Sequence, residues 1–156
     1  MAEGCRKINK VSKRVIMILY HGTNIGAAAD LISGQIDVNQ GGGEFGQGFY
    51  TGNSIHLVSA WAWHRSKQDM AVISYDIDDM KLIDLRMKLL SNEQARNERK
   101  RIKDEKRTRA IAFKDYDIVI GPVVGRPFAN YMQFVFVGTE GQNFINRQKA
   151  EQLWQI

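Results

Sequence analysis

The sequence is poor in the residues that cross-link a fold or bind metal. Its 156 residues include one cysteine, Cys5, and three histidines, His21, His56 and His64. A single cysteine excludes an internal disulfide and a thiolate metal cluster, and the histidines have no ligand spacing with it. We therefore expect no structural metal.

Long apolar runs are also lacking. The run at residues 15–20 has six residues, whereas a membrane-spanning helix needs about 20. It follows a basic stretch, but it is shorter than the apolar region of a secretory signal and leads directly into His-Gly-Thr. We expect a cytoplasmic protein with no membrane partner.

The positive charge lies in two short segments. Residues 1–14 carry +4 and residues 96–109 carry +5, so the rest of the chain sums to −4. Concentrated basic charge attracts nucleic acid, although a charge run is also typical of a solvated face. We interpret residues 1–14 as a basic arm and residues 15–156 as a single domain.

Hydrophobic patterning indicates several short strands interrupted by helices. It predicts strands at residues 15–20, 70–77, 81–85, 115–121 and 132–137, with a brief extended piece at 36–38. It predicts helices at 25–32, from Asn53 or Ser54 to 67, at 92–106, and in the tail from Asn143, anchored by Leu153 and Trp154. Without a regular βαβ rhythm, the fold class is α+β with a mixed or antiparallel sheet.

Residues 39–48 form a glycine-rich loop with five glycines. Such a loop can close over a ligand, because glycine permits close backbone approach. No Gly-Lys-Ser or Gly-Lys-Thr follows, and the loop runs into Phe-Tyr-Thr and not into a helix, which excludes a phosphate loop and a dinucleotide fingerprint. A flexible surface loop is the alternative.

Three side chains suit a ligand that contains a ribose and a flat ring. His21 and the backbone of Gly22 suit a ribose hydroxyl and a carboxamide, although a lone histidine is more often structural. Tyr50 and Trp61 are eleven residues apart and can hold a cationic ring between them, or both can be core aromatics.

Three blocks together resemble the His-Tyr-Glu class of ADP-ribosyltransferases, the diphtheria-toxin and poly-ADP-ribose-polymerase type. They are Tyr-His-Gly-Thr at 20–23, Phe-Gly-Gln-Gly-Phe-Tyr at 45–50 and Tyr-Asp-Ile-Val-Ile-Gly-Pro at 116–122. Within that class the chain is similar to a bacterial family of small, uncharacterised transferase-like domains. The resemblance runs from about residue 16 to the C-terminus and implies a split sheet around an NAD cleft.

The resemblance also implies roles for individual residues. His21 would bind the adenosine ribose, the Gly22 backbone the nicotinamide amide, and Tyr50 and Trp61 the nicotinamide ring, with NAD as co-substrate and no metal. The remaining residues implied to bind NAD belong to the blocks at 20–23 and 45–50: Thr23, Phe45, Gly46 and Gly48.

The third catalytic residue is implied to be Gln133, beside His21 and Tyr50. An acceptor group near the ribose would stabilise its oxocarbenium-like state, and Glu140 is the other candidate that the spacing leaves open. Polymer-forming enzymes hold glutamate in that place. Glutamine keeps a hydrogen bond but loses the charge, which favours mono-transfer or an inactive fold.

The basic segment favours a nucleic-acid target, RNA or DNA, with contacts from Arg99, Lys100 and Arg101. Arg126 and Phe128, in the loop at 123–130, would belong to the target-recognition loop. The leading hypothesis is a mono-ADP-ribosyltransferase that modifies nucleic acid, a toxin of a toxin–antitoxin or phage-defence system. The alternatives are a transferase with a protein target, whose basic helix binds an acidic partner or antitoxin, and an inactive NAD- or ADP-ribose-binding module.

Overall fold

The computed structural model describes residues 16–125 and 131–155. The basic arm at residues 1–14 and the predicted target-binding residues Arg126 and Phe128 lie outside the described residues.

Within this described part, nine strands, five α-helices and one 3₁₀ turn at Lys67–Asp69 follow one another along the chain. The strands are β1 Ile16–Asn24, β2 Gly42–Gly43, β3 Gly46–Gln47, β4 Phe49–Gly52, β5 Met70–Asp78, β6 Met87–Leu89, β7 Ile118–Pro122, β8 Met132–Phe136 and β9 Lys149–Gln155. The helices are α1 Ile25–Ile32, α2 Ile55–Ser66, α3 Asp79–Leu82, α4 Asn92–Asp104 and α5 Gly138–Asn146.

Seven strands form one mixed sheet in the order β6-β7-β8-β4-β1-β5-β9, and β2 and β3 form a separate hairpin. The β6–β7 pair is parallel and the other neighbouring pairs are antiparallel. The predicted α+β class with a mixed sheet is confirmed.

β5 is the most buried strand, because helices cover both of its faces. Ala71 and Ile73 pack in the cluster that contains Ala28 of α1. Val72, on the opposite face, packs with Val58 of α2. A strand covered on both sides reads as a continuous apolar run, which explains why Ala71, Val72 and Ile73 are all apolar.

Side-chain caps start α1, α2 and α4 close to the positions that the sequence predicts. Asn24 accepts from the Ala27 amide to begin α1, and Ser54 caps α2. Ser91 and Gln94 form a capping box at the start of α4. Helix α4 then docks through Ala95 and Ile102, the two apolar residues that the sequence offers, and both are buried.

The predicted strand at 81–85 is wrong. Asp78 accepts from the Lys81 amide and starts the short helix α3, so the next strand, β6, begins only at Met87. A helix cap competes with strand pairing for the same backbone groups, and here the cap prevails.

The predicted C-terminal helix is also misplaced. α5 ends at Asn146, and the tail forms β9, which pairs with β5 from Asp76↔Lys149 to Ala71↔Gln155. Without this strand β5 would leave an apolar edge unpaired, which outweighs the weak helical pattern of the tail.

Residues 36–38 are not paired as a strand, although Ile36 and Val38 are buried. Their backbone amides bond to side chains of α5 instead. The Ile36 amide donates to Asn146 Oδ1 at 2.8 Å, and the Val38 amide donates to Gln142 Oε1 at 3.0 Å. This satisfies buried backbone groups without a ladder.

No helix in the described ranges is long and apolar enough to cross a membrane.

Candidate functional site

The sheet opens between β1 and β4, and His21 lies in the opening. β1 does not end at His21, as the sequence suggests, but continues to Asn24. It pairs with β4 only at Tyr20↔Gly52. Beyond that pair, the His21 Nδ1 atom lies 2.6 Å from the Tyr50 carbonyl oxygen. Because a carbonyl only accepts, Nδ1 carries the proton and donates, which leaves Nε2 as an acceptor.

His21 is held as a neutral ring. It stacks on Phe49, with ring centroids 4.2 Å apart. Burial lowers the pKa of His21 to about 4; the bond to the Tyr50 carbonyl opposes this shift, and the charge of Arg65 adds to it. At neutral pH the Nε2 lone pair is therefore free to accept a hydrogen bond from a ligand hydroxyl.

A cavity of about 310 Å³ lies beside this ring, within the size range of small-molecule sites. His21, Gly22, Tyr50, Trp61 and Gln133 line it. The blocks at 20–23 and 45–50, together with Trp61 and the third-residue position, thus contribute to one cavity, whereas the block at 116–122 contributes no lining residue.

A second, larger cavity of about 630 Å³ contains Glu140 and none of the other predicted site residues. We take the smaller cavity as the candidate site, because the neutral histidine and the aromatic residues are there. Of the two candidates for the third residue, the structure brings Gln133 to His21 and leaves Glu140 elsewhere.

The strand wall of this cavity comprises His21 on β1, Tyr50 on β4 and Trp61 on α2. Gly22 lets α2 lie directly against β1: a Cβ at that position would come within 2.9 Å of both Ala62 Cβ and the Val58 carbonyl oxygen. The close approach leaves Trp61 beside the cavity with 37% of its surface exposed. An exposed tryptophan is a ready stacking surface for a flat ligand.

The hairpin wall, residues 42–47, forms the other side. Its two-residue turn is held by the Tyr50 hydroxyl, which accepts from the Phe45 amide at 2.9 Å and donates to the Gly46 carbonyl at 2.6 Å. Burial raises the pKa of Tyr50 above its usual range, the Phe45 hydrogen bond opposes the shift, and the nearby Glu44 charge adds to it. The phenol therefore stays protonated and keeps both bonds.

Four residues that the resemblance assigns to NAD binding do not line the cavity. Phe45 is 1% exposed and packs in a core cluster with Val119 and Val135. Gly46 provides the positive φ of the turn, at +85°. Gly48 leaves room for the Val135 side chain, which a Cβ would meet at 2.5 Å. Thr23 lies further along β1, paired with Ala71. These residues support the site and lie outside its lining.

Gln133, on β8, is 3% exposed and pairs with Gly52 of β4. Its Nε2 donates to Glu44 Oε2 at 2.7 Å and approaches the Pro122 carbonyl at 3.4 Å. Because both neighbours are oxygen acceptors, they fix which end of the amide is the nitrogen.

Glu44 is the site residue that sequence reasoning missed. It lies in the hairpin turn and lines the cavity, with its side chain 23% exposed. Its Oε2 also accepts from the Val124 amide at 3.2 Å, and its Oε1 lies 3.4 Å from Arg99 Nε. The sequence signal was a lone acid inside the glycine loop.

The three basic residues predicted to bind a target are in different situations. Arg99 pairs with Glu44 at the cavity. Arg101 pairs with Glu98 at 2.9 Å and with Glu105 at 3.5 Å on its own helix. Lys100 is exposed and has no ion pair within residues 16–125 and 131–155.

Across the described ranges, no group of three or more His, Cys, Asp and Glu side chains is arranged to hold a metal ion.

Together, these features define an α+β domain whose sheet opens around a ligand-sized cavity. Residues 17–155 match the family model described as "Protein of unknown function (DUF3990)", so the chain belongs to that family. None of the curated proteins matches the chain.

Proposed function

We propose that the protein is a mono-ADP-ribosyltransferase that transfers ADP-ribose from NAD to a nucleic acid in the cytoplasm, as a toxin of a toxin–antitoxin or phage-defence system. One observation carries the proposal. His21, kept neutral by burial and hydrogen-bonded to the Tyr50 carbonyl, shares a ligand-sized cavity with Tyr50, Trp61 and Gln133. Residues from two of the three blocks that carry the resemblance are distant in sequence from Trp61 and Gln133 and line one cavity with them.

The lining fits the parts of NAD. The Nε2 atom of His21 is an acceptor for a ribose hydroxyl. β1 lies between β5 and β4, and Gly22 pairs with Val72 of β5. Because β4 pairs with β1 only at Tyr20, the edge of β1 that faces β4 has no strand partner at Gly22. Tyr50 and Trp61 offer aromatic surface to a cationic ring. Arg65 lines the same cavity and would attract a pyrophosphate.

The basic segment lies next to the hairpin wall, which supports a nucleic-acid acceptor. The Gly43 amide donates to the Thr108 carbonyl at 3.1 Å, and the Gln47 amide donates to the Ala110 carbonyl at 2.8 Å. Phosphate contacts by exposed lysine and arginine supply affinity that does not depend on sequence. A target held by residues 96–109 would therefore lie near the mouth of the cavity.

The test is transfer of ADP-ribose from NAD labelled in that moiety, using a whole-cell lysate that is afterwards split and treated with nuclease or protease. We expect label that survives protease and is lost to RNase or DNase. Label lost only to protease would instead support the protein-target alternative. Absence of label together with absence of NAD binding would contradict the proposal.

A matched pair of variants checks that the label comes from this site. His21→Ala removes the neutral ring and should abolish transfer. Thr23→Ala changes the same strand outside the cavity and should leave transfer unchanged. Equal loss in both variants would show that damage to β1, and not loss of a ligand contact, is responsible.

A second candidate, an inactive NAD- or ADP-ribose-binding module, is favoured by Gln133, which carries no charge. It predicts that calorimetry detects NAD binding, while no nicotinamide is released even at high enzyme concentration. Release of nicotinamide that His21→Ala abolishes would exclude the binding module.

A further inference from the structure

We propose that Glu44 is the catalytic carboxylate of this site, supplied by the hairpin wall in place of an acid at position 133. This inference rests on the proposed function. Glu44 is the sole acidic residue among the described residues that line the His21 cavity. The Gln133 amide donates to its carboxylate at 2.7 Å. The negative charge that position 133 lacks is therefore present in the site, on the residue to which Gln133 is hydrogen-bonded.

The structure holds this carboxylate in a defined position. The Tyr50 hydroxyl fastens the turn on either side of Phe45, and the Phe45 side chain anchors the turn in the core. The Gln133 amide and the Val124 amide both donate to Oε2. A side chain with these restraints is positioned in advance, which is what a catalytic group requires.

One oxygen of the carboxylate retains acceptor capacity. Oε2 already has two donors, whereas Oε1 has among the described residues only the guanidinium of Arg99, at 3.4 Å. A carboxylate oxygen can accept more than one hydrogen bond. We therefore assign the chemistry to Oε1.

The step balances as follows. The bond between C1′ of the ribose and the nicotinamide nitrogen breaks, and its electron pair neutralises the ring nitrogen. A hydroxyl of the acceptor, or water, forms the new bond to C1′. Its proton passes to Oε1 of Glu44 and then to solvent. The negative charge of Glu44 also stabilises the positive charge that develops on the ribose.

This arrangement gives Gln133 a purpose. Two carboxylates at 2.7 Å would repel each other, whereas the amide donates to Glu44 and orients it. Gln133 is then a positioning residue for Glu44 on the cavity wall.

The first test is Glu44→Gln, which keeps an acceptor for the Gln133 and Val124 amides and removes the charge. We expect nicotinamide release to fall by about a hundredfold or more, in kcat, with the calorimetric Kd for NAD changed by less than about twofold. The matched control is Glu98→Gln, the same exchange at a carboxylate that pairs with Arg101 and does not line the cavity, and it should retain nicotinamide release.

Rescue separates charge from shape. The exchange Glu44→Gln with Gln133→Glu restores one acid and one amide across the same contact, and we expect it to recover at least about tenfold over Glu44→Gln alone. Glu44→Asp keeps the charge on a shorter arm and should also exceed Glu44→Gln. Melting temperatures of all variants confirm that folded proteins are compared.

A binding measurement gives a readout that does not depend on turnover. An aza-sugar analogue of NAD, with a protonated ring nitrogen in place of the ribose oxygen, should bind the wild type more tightly than its uncharged analogue. Glu44→Gln should lose this preference, because the carboxylate charge that attracts the protonated ring nitrogen is gone.

The outcomes distinguish this inference from the proposed function. The role of Glu44 alone would be overturned if the wild type turns over NAD and Glu44→Gln does so at a rate within about twofold of the wild type. An unchanged preference of Glu44→Gln for the cationic analogue would also overturn it. A wild type that neither binds NAD nor releases nicotinamide would overturn both.

Discussion

The strand wall of the cavity consists of paired strands and a helix, whereas the hairpin wall is a short turn fastened mainly by hydrogen bonds and one aromatic anchor. His21 and Tyr50 are positioned by a sheet that is continuous with the core. Glu44 is positioned by the hydroxyl of Tyr50 and the amide of Gln133. In the proposed function, the first wall would bind the ligand on strands that belong to the core sheet. The second would place a negative charge beside the ligand, in a turn that a few hydrogen bonds fix.

Phe45→Ala is expected to break this comparison most strongly, because it removes the anchor of the hairpin wall. A buried phenylalanine replaced by alanine costs about 3–5 kcal/mol of unfolding free energy. Denaturant unfolding measures the loss, and nicotinamide release should fall as well. The control is Phe113→Ala, in the same cluster but partly exposed and not on the hairpin; an equal loss of release there would contradict a local role.

Acid should weaken the strand wall through His21. Its pKa is about 4 in the folded chain and near 6.5 when unfolded, so between these values the unfolded chain binds more protons. Stability is fully present above pH 6.5 and decreases as the pH falls towards 4, by roughly 3 kcal/mol in total.

Denaturant midpoints across that pH range measure this effect, with His21→Gln as the comparison. The variant should lack this part of the pH dependence. A wild type and variant that lose stability in parallel would show that His21 is not held neutral.

Tyr50→Phe should separate the two walls, because it keeps the ring and removes the hydroxyl that holds the turn. Leaving the Phe45 amide and the Gly46 carbonyl without this partner should cost about 1–3 kcal/mol. We expect nicotinamide release to fall more than NAD affinity. Tyr20→Phe, which lines the same cavity and has no hydroxyl hydrogen bond in the described part of the chain, is the control and should have little effect.

Trp61→Ala tests the strand wall as a stacking surface. Aromatic stacking contributes about 0.5–1.5 kcal/mol beyond buried area, so NAD should bind roughly tenfold more weakly. Trp63→Ala is the control, since Trp63 is exposed on the same helix but does not line the cavity. Equal calorimetric affinities for the two variants would exclude Trp61 as a ligand contact.

The smallest effect is expected beyond the hairpin wall, at Lys100. Lys100→Ala should weaken binding of single-stranded RNA or DNA and reduce the salt slope by about one. Arg101→Ala should change the slope less, because Glu98 and Glu105 already neutralise that side chain. A larger effect at Arg101 than at Lys100 would contradict this ranking.

Several elements of the fold, among them β1 and α2 of the strand wall, could be predicted because local signals encode them. Asn24, Ser54 and the Ser91–Gln94 box mark helix starts that the structure confirms. Residues 15–20 and 132–137 are apolar enough to indicate strands wherever they pair. The sequence also pointed to the residues that meet at the cavity on this side, His21, Gly22, Tyr50 and Trp61.

The hairpin wall could not be predicted, because long-range contacts determine it. Glu44 meets Gln133, 89 positions along the chain, and no local pattern signals that pair. Phe45 was assigned to the ligand through the resemblance of its block, whereas its side chain is buried in the core. The tail strand β9 was missed for a similar reason, since its partner, β5, lies far away in sequence.

The close approach of α2 to β1 at Gly22 has a consequence for ligand size. Because the helix rests on a position without a side chain, each added atom at residue 22 must move α2, and Trp61 with it, outward. The size of the residue at position 22 therefore determines the width of the cavity. A graded series of Ala, Ser and Val at this position would calibrate that width, and dinucleotides with progressively bulkier bases would measure it.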